Sequence, residues 1–158
     1  MLLALLVISL TSVALMSGYA TTIAGSATHQ SLAGLDVALR NAAEQVTYEI
    51  QEQASPAYTP CAGASGQITY SATSPSGLAG AFTYGTDQLN MSGLILTAGE
   101  SLSLSAPQYW DPSTASWVTI CPADNQDGAQ RLTLSAFGRH GVAEAVQIVV
   151  IDPVGTGS

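Results

Sequence analysis

Residues 1–24 read MLLALLVISLTSVALMSGYATTIA, and the only polar side-chain groups in this stretch are hydroxyls. The first carboxylate of the chain is Asp36 and the first guanidinium is Arg40. A helix rises about 1.5 Å per residue, so this stretch would cross a hydrocarbon core roughly 30 Å thick. We therefore predict a membrane-competent helix. Its small residues, among them Gly18 and the following Gly25, would let neighbouring helices approach closely.

The helical pattern continues beyond the apolar stretch. Apolar residues recur there in steps of three and four, at Leu32, Leu35, Leu39, Ala42 or Ala43, Val46 and Ile50. Such steps place them on one face of a helix, and the polar side chains fall on its other faces. No proline precedes Pro56. The pattern predicts one helix over residues 1–53, apolar at its start and amphipathic at its end.

Residues 1–24 are open to three interpretations. They could be a cleaved secretory signal, but no Lys or Arg forms the basic region that such a signal needs. They could be an ordinary single-pass anchor, whose orientation the absent flanking cations leave undecided. They could also belong to a mature chain whose basic leader has been removed or lies outside this numbering. We favour the third interpretation.

Residues 54–152 have a different composition, rich in Gly, Ser, Thr and Pro, with apolar residues in strand-like alternation. The candidate strands are residues 67–70, 81–84, 94–96, 101–104, 108–110, 116–120, 131–137 and 145–151. Turn residues separate them at 97–100, 111–114 and 138–141. We predict a small, mostly antiparallel sheet domain and a flexible tail at 153–158, which together with the helix make an α+β fold.

Cys61 and Cys121 are the only two cysteines, and each stands beside a proline at a predicted element boundary. One interpretation is a disulfide, which would close a loop of about 60 residues and stabilise the fold by roughly 4 kcal/mol. The other is a pair of unrelated buried thiols. We favour the disulfide, because a membrane-competent segment upstream suggests an extracytoplasmic domain.

The charge balance argues against several functions. Lys+Arg number 3 and Asp+Glu number 11, giving a net charge of −8. Three arginines cannot neutralise a nucleic-acid backbone, and attraction to anionic lipid headgroups is disfavoured for the same reason. We predict no enzyme, cofactor or metal site, since histidines and cysteines are few.

The remaining polar and aromatic groups have ordinary structural explanations. The segment 124–128 lacks the full acidic pattern of a calcium loop and is interpreted as a solvated turn. His29 and His140 are expected to be non-catalytic. Tyr109, Trp110 and Trp117 flank one predicted hairpin, where cross-strand or core packing is favoured over a carbohydrate platform.

Several stretches resemble the type IV pilins and pilin-like proteins (pseudopilins), particularly small pilin-like proteins of high-GC Gram-positive bacteria. The similar stretches are ATTIAGSATH at 20–29, LRNAAE at 39–44, AYTPCA at 57–62, Trp117 with Cys121, and QRLTL at 130–134. The family begins with a processing motif that contains a glutamate, near whose expected position this chain has Leu5. On this resemblance, either the true start lies upstream of Met1 or the chain is a minor subunit that lacks this charge, and we favour the first.

The resemblance implies a major or minor structural subunit of a type IV pilus or related surface filament. The subunit would be a single-pass membrane protein before assembly, with an extracellular sheet domain. Its expected partners are lipid, identical or pilin-like subunits, and the pilus assembly machinery. Leu10, Val13, Gly18 and Gly25 would pack between helices. The alternative is a monomeric, membrane-anchored or secreted binding module.

Overall fold

A computed structural model describes residues 2–51, 58–123 and 128–151, with side chains of the helix described from Gly25 onward. The chain has an α+β fold. The single helix, α1, spans Leu2–Gln51. The strands are β1 Ala64–Tyr70, β2 Leu78–Tyr84, β3 Asp87–Gln88, β4 Ser101–Leu104, β5 Gln108–Asp111, β6 Ser116–Val118, β7 Gln130–Phe137 and β8 Ala143–Val150.

All strand pairs of the sheet are antiparallel. β1 lies between β2 and β4, and β3 extends the sheet beyond β2. β7 pairs with β8 along its whole length. On its other edge β7 pairs with β4 through residues 134–137 and with β5 through residues 130–131, and β6 follows β5 as a hairpin. β7 is therefore the central strand that joins the two parts of the sheet.

One face of α1 covers one face of the sheet. Leu35, Val46 and Ile50 are fully buried in the core cluster, together with Leu132 and Leu134 of β7. The helical residues are spaced so that they share a face, and alternate residues of β7 point to one side of the sheet. Burying a large apolar side chain contributes about 1.5–3 kcal/mol, so this contact holds the helix on the sheet.

The helix prediction agrees with the structure from Leu2 to Gln51, and its first residue and last two residues lie outside the described chain. The predicted strand at 94–96 is wrong. Leu94 and Leu96 are buried and Ile95 is exposed, but the segment pairs with no described strand. The N–H of Leu94 instead donates to the carbonyl of Met91 in a turn. The alternation of apolar residues at 94–96 therefore reflects which side chains are buried and does not indicate strand pairing.

Two predicted turns are present and are closed by acidic side chains. The Glu100 carboxylate accepts a hydrogen bond from the Thr97 N–H at 2.7 Å. Asp111 accepts hydrogen bonds from the hydroxyls of Ser113 and Thr114 and from the N–H of Ser113. These bonds, led by the Ser113 hydroxyl, lower the pKa of Asp111. The third predicted turn contains a short 3₁₀ helix, Arg139–Gly141. The predicted tail at 153–158 lies outside the described residues.

Candidate functional site

Two parts of α1 differ in their contact with the sheet domain. Gly25, Ser26 and Ala27 are exposed, and a Cβ added to Gly25 would meet no atom within 4 Å. Leu35, further along α1, packs against the sheet domain. Its side chain comes within 2.7 Å of the position that a Cβ on Gly138 would take. The described surface of Gly25 is therefore open to a partner outside the chain.

The other predicted assembly residues lie in α1, but their side chains are outside the described set. Leu10, Val13 and Gly18 are helical, so their backbone positions agree with the prediction of a continuous helix. Their contacts remain a prediction. Among the residues that the structure describes, no helix combines the length and the apolarity that crossing a membrane requires.

The two cysteines lie at disulfide-bonding distance. Their Cα atoms are 5.6 Å apart, within the range that a disulfide spans. Cys61 belongs to the segment that leads into β1, and Cys121 follows the β5–β6 hairpin. The Tyr109 hydroxyl donates to the carbonyl of Ala62 at 3.2 Å, beside this pair. A bond here would tie the segment after α1 to the far end of the sheet.

The buried side chain of Gln130 also holds the segment that leads into β1. Gln130 is fully buried, and its Nε2 donates to the carbonyl of Thr59 at 2.9 Å. Its Oε1 accepts a hydrogen bond from the Tyr84 hydroxyl at 3.0 Å. Burial raises the pKa of Tyr84 well above its usual range, because the phenolate would lose its hydration. The phenol therefore stays neutral and acts as a donor.

The aromatic residues of the β5–β6 hairpin divide between the two faces of the sheet. Tyr109 is buried on the side of the core, and burial raises its pKa. Trp110 and Trp117 are direct cross-strand partners, with ring centroids 5.5 Å apart and planes at 67°. The guanidinium of Arg131 lies 4.7 Å from the ring centroid of Trp117. The two tryptophans therefore pack across the strands, as expected from the sequence, and both remain partly exposed.

No candidate metal site forms among the residues that the structure describes. No group of three or more His, Cys, Asp or Glu side chains lies close enough to hold a metal there. His29 is exposed on α1. The candidate calcium segment at 124–128 and the His140 side chain fall largely or wholly outside the described set, so their interpretation stays a prediction.

Sequence reasoning missed Gln130 and the environment of Arg131. The residue type of a glutamine does not mark it as buried, because its hydrogen-bond partners come from distant segments. The signal that was available is positional. Gln130 occupies the same alternation as Leu132 and Leu134, whereas Arg131 falls on the opposite face with Thr133.

Comparison with known proteins does not place the chain in a family. No protein-family model matches it, and neither a curated protein nor a solved structure shows significant similarity. The resemblance to type IV pilins therefore rests on the sequence motifs alone.

Proposed function

We propose that this chain is a structural subunit of a type IV pilus or a related surface filament. The observation that carries the proposal is the length of α1 relative to its packed part. The helix has 50 residues, about 75 Å, and among its side chains described from Gly25 onward, those in the core run from Leu35 to Ile50. A helix this long is not needed to cover the sheet. The preceding part would serve as a membrane anchor and then as a filament core.

The composition of that preceding part suits exchange between lipid and protein. Residues 2–24 carry no ionisable side chain, apart from the phenol of Tyr19. In lipid there is no hydrophobic force between helices, so association depends on close packing at small residues such as Gly18. An assembly machine could therefore move such a helix from membrane to filament at small net cost in free energy.

The sheet domain would cover the outside of the filament. The cysteine pair supports an oxidising, extracytoplasmic location, because disulfides persist there and are rare in the cytosol. The net charge of −8 suits a surface that remains hydrated. Both features are compatible with a domain that faces the medium while α1 faces other subunits.

Filament recovery from cells with a type IV pilus assembly system tests the proposal. Wild type should appear in the membrane fraction and in sheared surface filaments seen by electron microscopy. Gly18→Leu adds bulk without charge, so the membrane fraction should persist while filaments are lost. Gly63→Leu is the matched control. A Cβ at Gly63 meets nothing within 4 Å, and filaments should form normally.

The alternative function is a monomeric, anchored or secreted binding module. It is favoured by the partly exposed tryptophan pair and guanidinium on the sheet face away from α1. Wild-type chain that stays in the membrane, without filaments despite a working assembly system, would support this alternative. Such a result would overturn the filament proposal.

A further inference from the structure

The face of the sheet opposite α1, called here the outer face, carries an unusual set of groups. β7 alternates between buried residues that face the helix and partly exposed residues that face outward. The outward residues include Arg131, Thr133 and Ser135. Gln108 pairs with Arg131, and Trp110 lies two residues further along β5 on the same side. Arginine, amide, indole and hydroxyl groups therefore share one open surface.

The Arg131 side chain is held in place, and no carboxylate of the described residues pairs with it. Its Nε donates to Gln108 Oε1 at 2.9 Å, and Nη2 donates to the same oxygen. The ring of Trp117 supports the guanidinium plane. Within the described chain the sole ion pair joins Arg40 and Asp36. Nη1 donates to no described residue, and the edge that Nη1 forms with the second N–H of Nη2 has the geometry that binds a carboxylate in the bidentate manner.

The groups around Arg131 suit the apolar C–H face and the hydroxyl groups of a sugar ring. Trp110 and Trp117 are partly exposed, and the guanidinium of Arg131 lies over the ring of Trp117. The ring surface left uncovered beside this contact is apolar and suits the C–H face of a pyranose. Ser135 lies directly opposite Ser103, and both residues are partly exposed. The distance from Arg131 to Ser135 along β7 is roughly 13 Å. That length accommodates a few sugar units in a row.

We propose that this outer face binds an acidic polysaccharide, with one uronate carboxylate on Arg131 and the sugar ring against the tryptophans. A neutral sugar would leave the guanidinium without a carboxylate. The hydroxyl groups along β4 and β7 recur at regular spacing, as the hydroxyl groups of a sugar chain do. Because the chain as a whole is strongly acidic, general electrostatic attraction opposes binding, and affinity depends on this one guanidinium.

Titration of the full chain in mild detergent with oligogalacturonides tests the proposal. Both tryptophans of the chain lie in this cluster, so their fluorescence reports on the site. Wild type should show a saturable change with the acid form. The same oligomers with methyl-esterified carboxylates should bind roughly tenfold or more weakly, since hydrogen bonds to a charged group are lost.

Two arginine variants separate the site from general charge effects. Arg131→Gln should weaken binding roughly tenfold or more. Arg139→Gln removes the same charge from an exposed residue beyond the end of β7 and should leave affinity within about twofold. Circular dichroism checks that both variants fold. If Arg131→Gln does not fold, the affinities of wild type for the acid and the methyl-esterified oligomers still test the proposal.

Three results would overturn the proposal. One is the absence of a saturable fluorescence change with acid oligomers at millimolar concentration. Another is equal affinity for the acid and esterified forms. The third is an equal loss of affinity in the two arginine variants. None of them bears on the filament proposal, which depends on α1.

Discussion

Two regions of α1 differ in how their charged and apolar side chains are distributed. Residues 35–50 place apolar side chains on a single face and charged ones, such as Arg40, elsewhere. That asymmetry fixes which face meets the sheet. Residues 2–24 carry no charged side chain, so only small residues such as Gly18 indicate where a partner helix could pack. The difference shows that charged side chains help to define the docked face of residues 35–50, whereas residues 2–24 have no such marker.

The largest expected effect breaks the docked region. Val46 is fully buried, whereas Val37 is 57% exposed on the same helix. Val46→Asp places an unpaired carboxylate in the core and should lower the free energy of unfolding by about 4 kcal/mol or more. Val37→Asp, the matched control, should change it by less than about 0.5 kcal/mol. Urea unfolding followed by circular dichroism measures both.

Equal effects of the two valine variants would contradict the docking geometry of α1. A small effect at Val46 would place the helix away from the sheet. A large effect at Val37 would mean that this face is covered by another part of the chain.

The next effect concerns the cysteine pair. We expect Cys61 and Cys121 to be joined in protein recovered from cells. Cys61→Ser should lower the free energy of unfolding by about 2–5 kcal/mol, because the unfolded chain regains the entropy of an open loop. Thermal unfolding measures the loss, and wild type with reductant should show a similar one. Two free thiols by alkylation and intact mass would refute the bond.

A smaller effect comes from the buried amide. Gln130→Leu keeps most of the side-chain volume but removes the hydrogen bonds that Gln130 makes with the Thr59 carbonyl and the Tyr84 hydroxyl. The Thr59 carbonyl still accepts from the Ala62 N–H, and the Tyr84 hydroxyl can still donate to it. Each lost hydrogen bond contributes about 0.5–1.5 kcal/mol, so the variant should be destabilised by about 1–3 kcal/mol in total. Unfolding in urea measures it. Gln67→Leu, on the exposed side of β1, is the control and should have little effect.

The smallest effect is a pH dependence at the alkaline end. The folded state raises the pKa of Tyr84 above its ordinary value of 10.0, mainly by desolvation. The unfolded chain therefore releases this proton first, so stability is full below pH 10.0 and falls as pH rises above it. The fall is at most about 1.4 kcal/mol per pH unit.

Unfolding curves across this range measure the alkaline loss. Tyr84→Phe should lose stability through its missing hydrogen bonds but should respond less to alkaline pH. Tyr48→Phe, at a residue 52% exposed on α1, should retain the wild-type slope. An identical slope in wild type and Tyr84→Phe would assign the alkaline loss to another group.

The sequence predicts those helices and strands whose own residues show a regular apolar spacing. The steps of three and four up to Ile50 predict the helix, and the alternation from Arg131 to Phe137 predicts β7. The segment 94–96 shows the limit, because buried and exposed side chains alternate there without a strand partner. The setting of Arg131 could not be predicted, because it requires the register between β5 and β7.

The central claim is that residues 2–24 of one subunit lie against the same residues of another. A photo-crosslinking amino acid at Val13, in surface filaments sheared from cells with the assembly system, tests it most directly. The account predicts crosslinks between copies of the chain that map to α1. The same probe at Ile120, 81% exposed in the sheet domain, should give none to α1. Crosslinks from Val13 to lipid alone, with no dimer of the chain, would contradict the account.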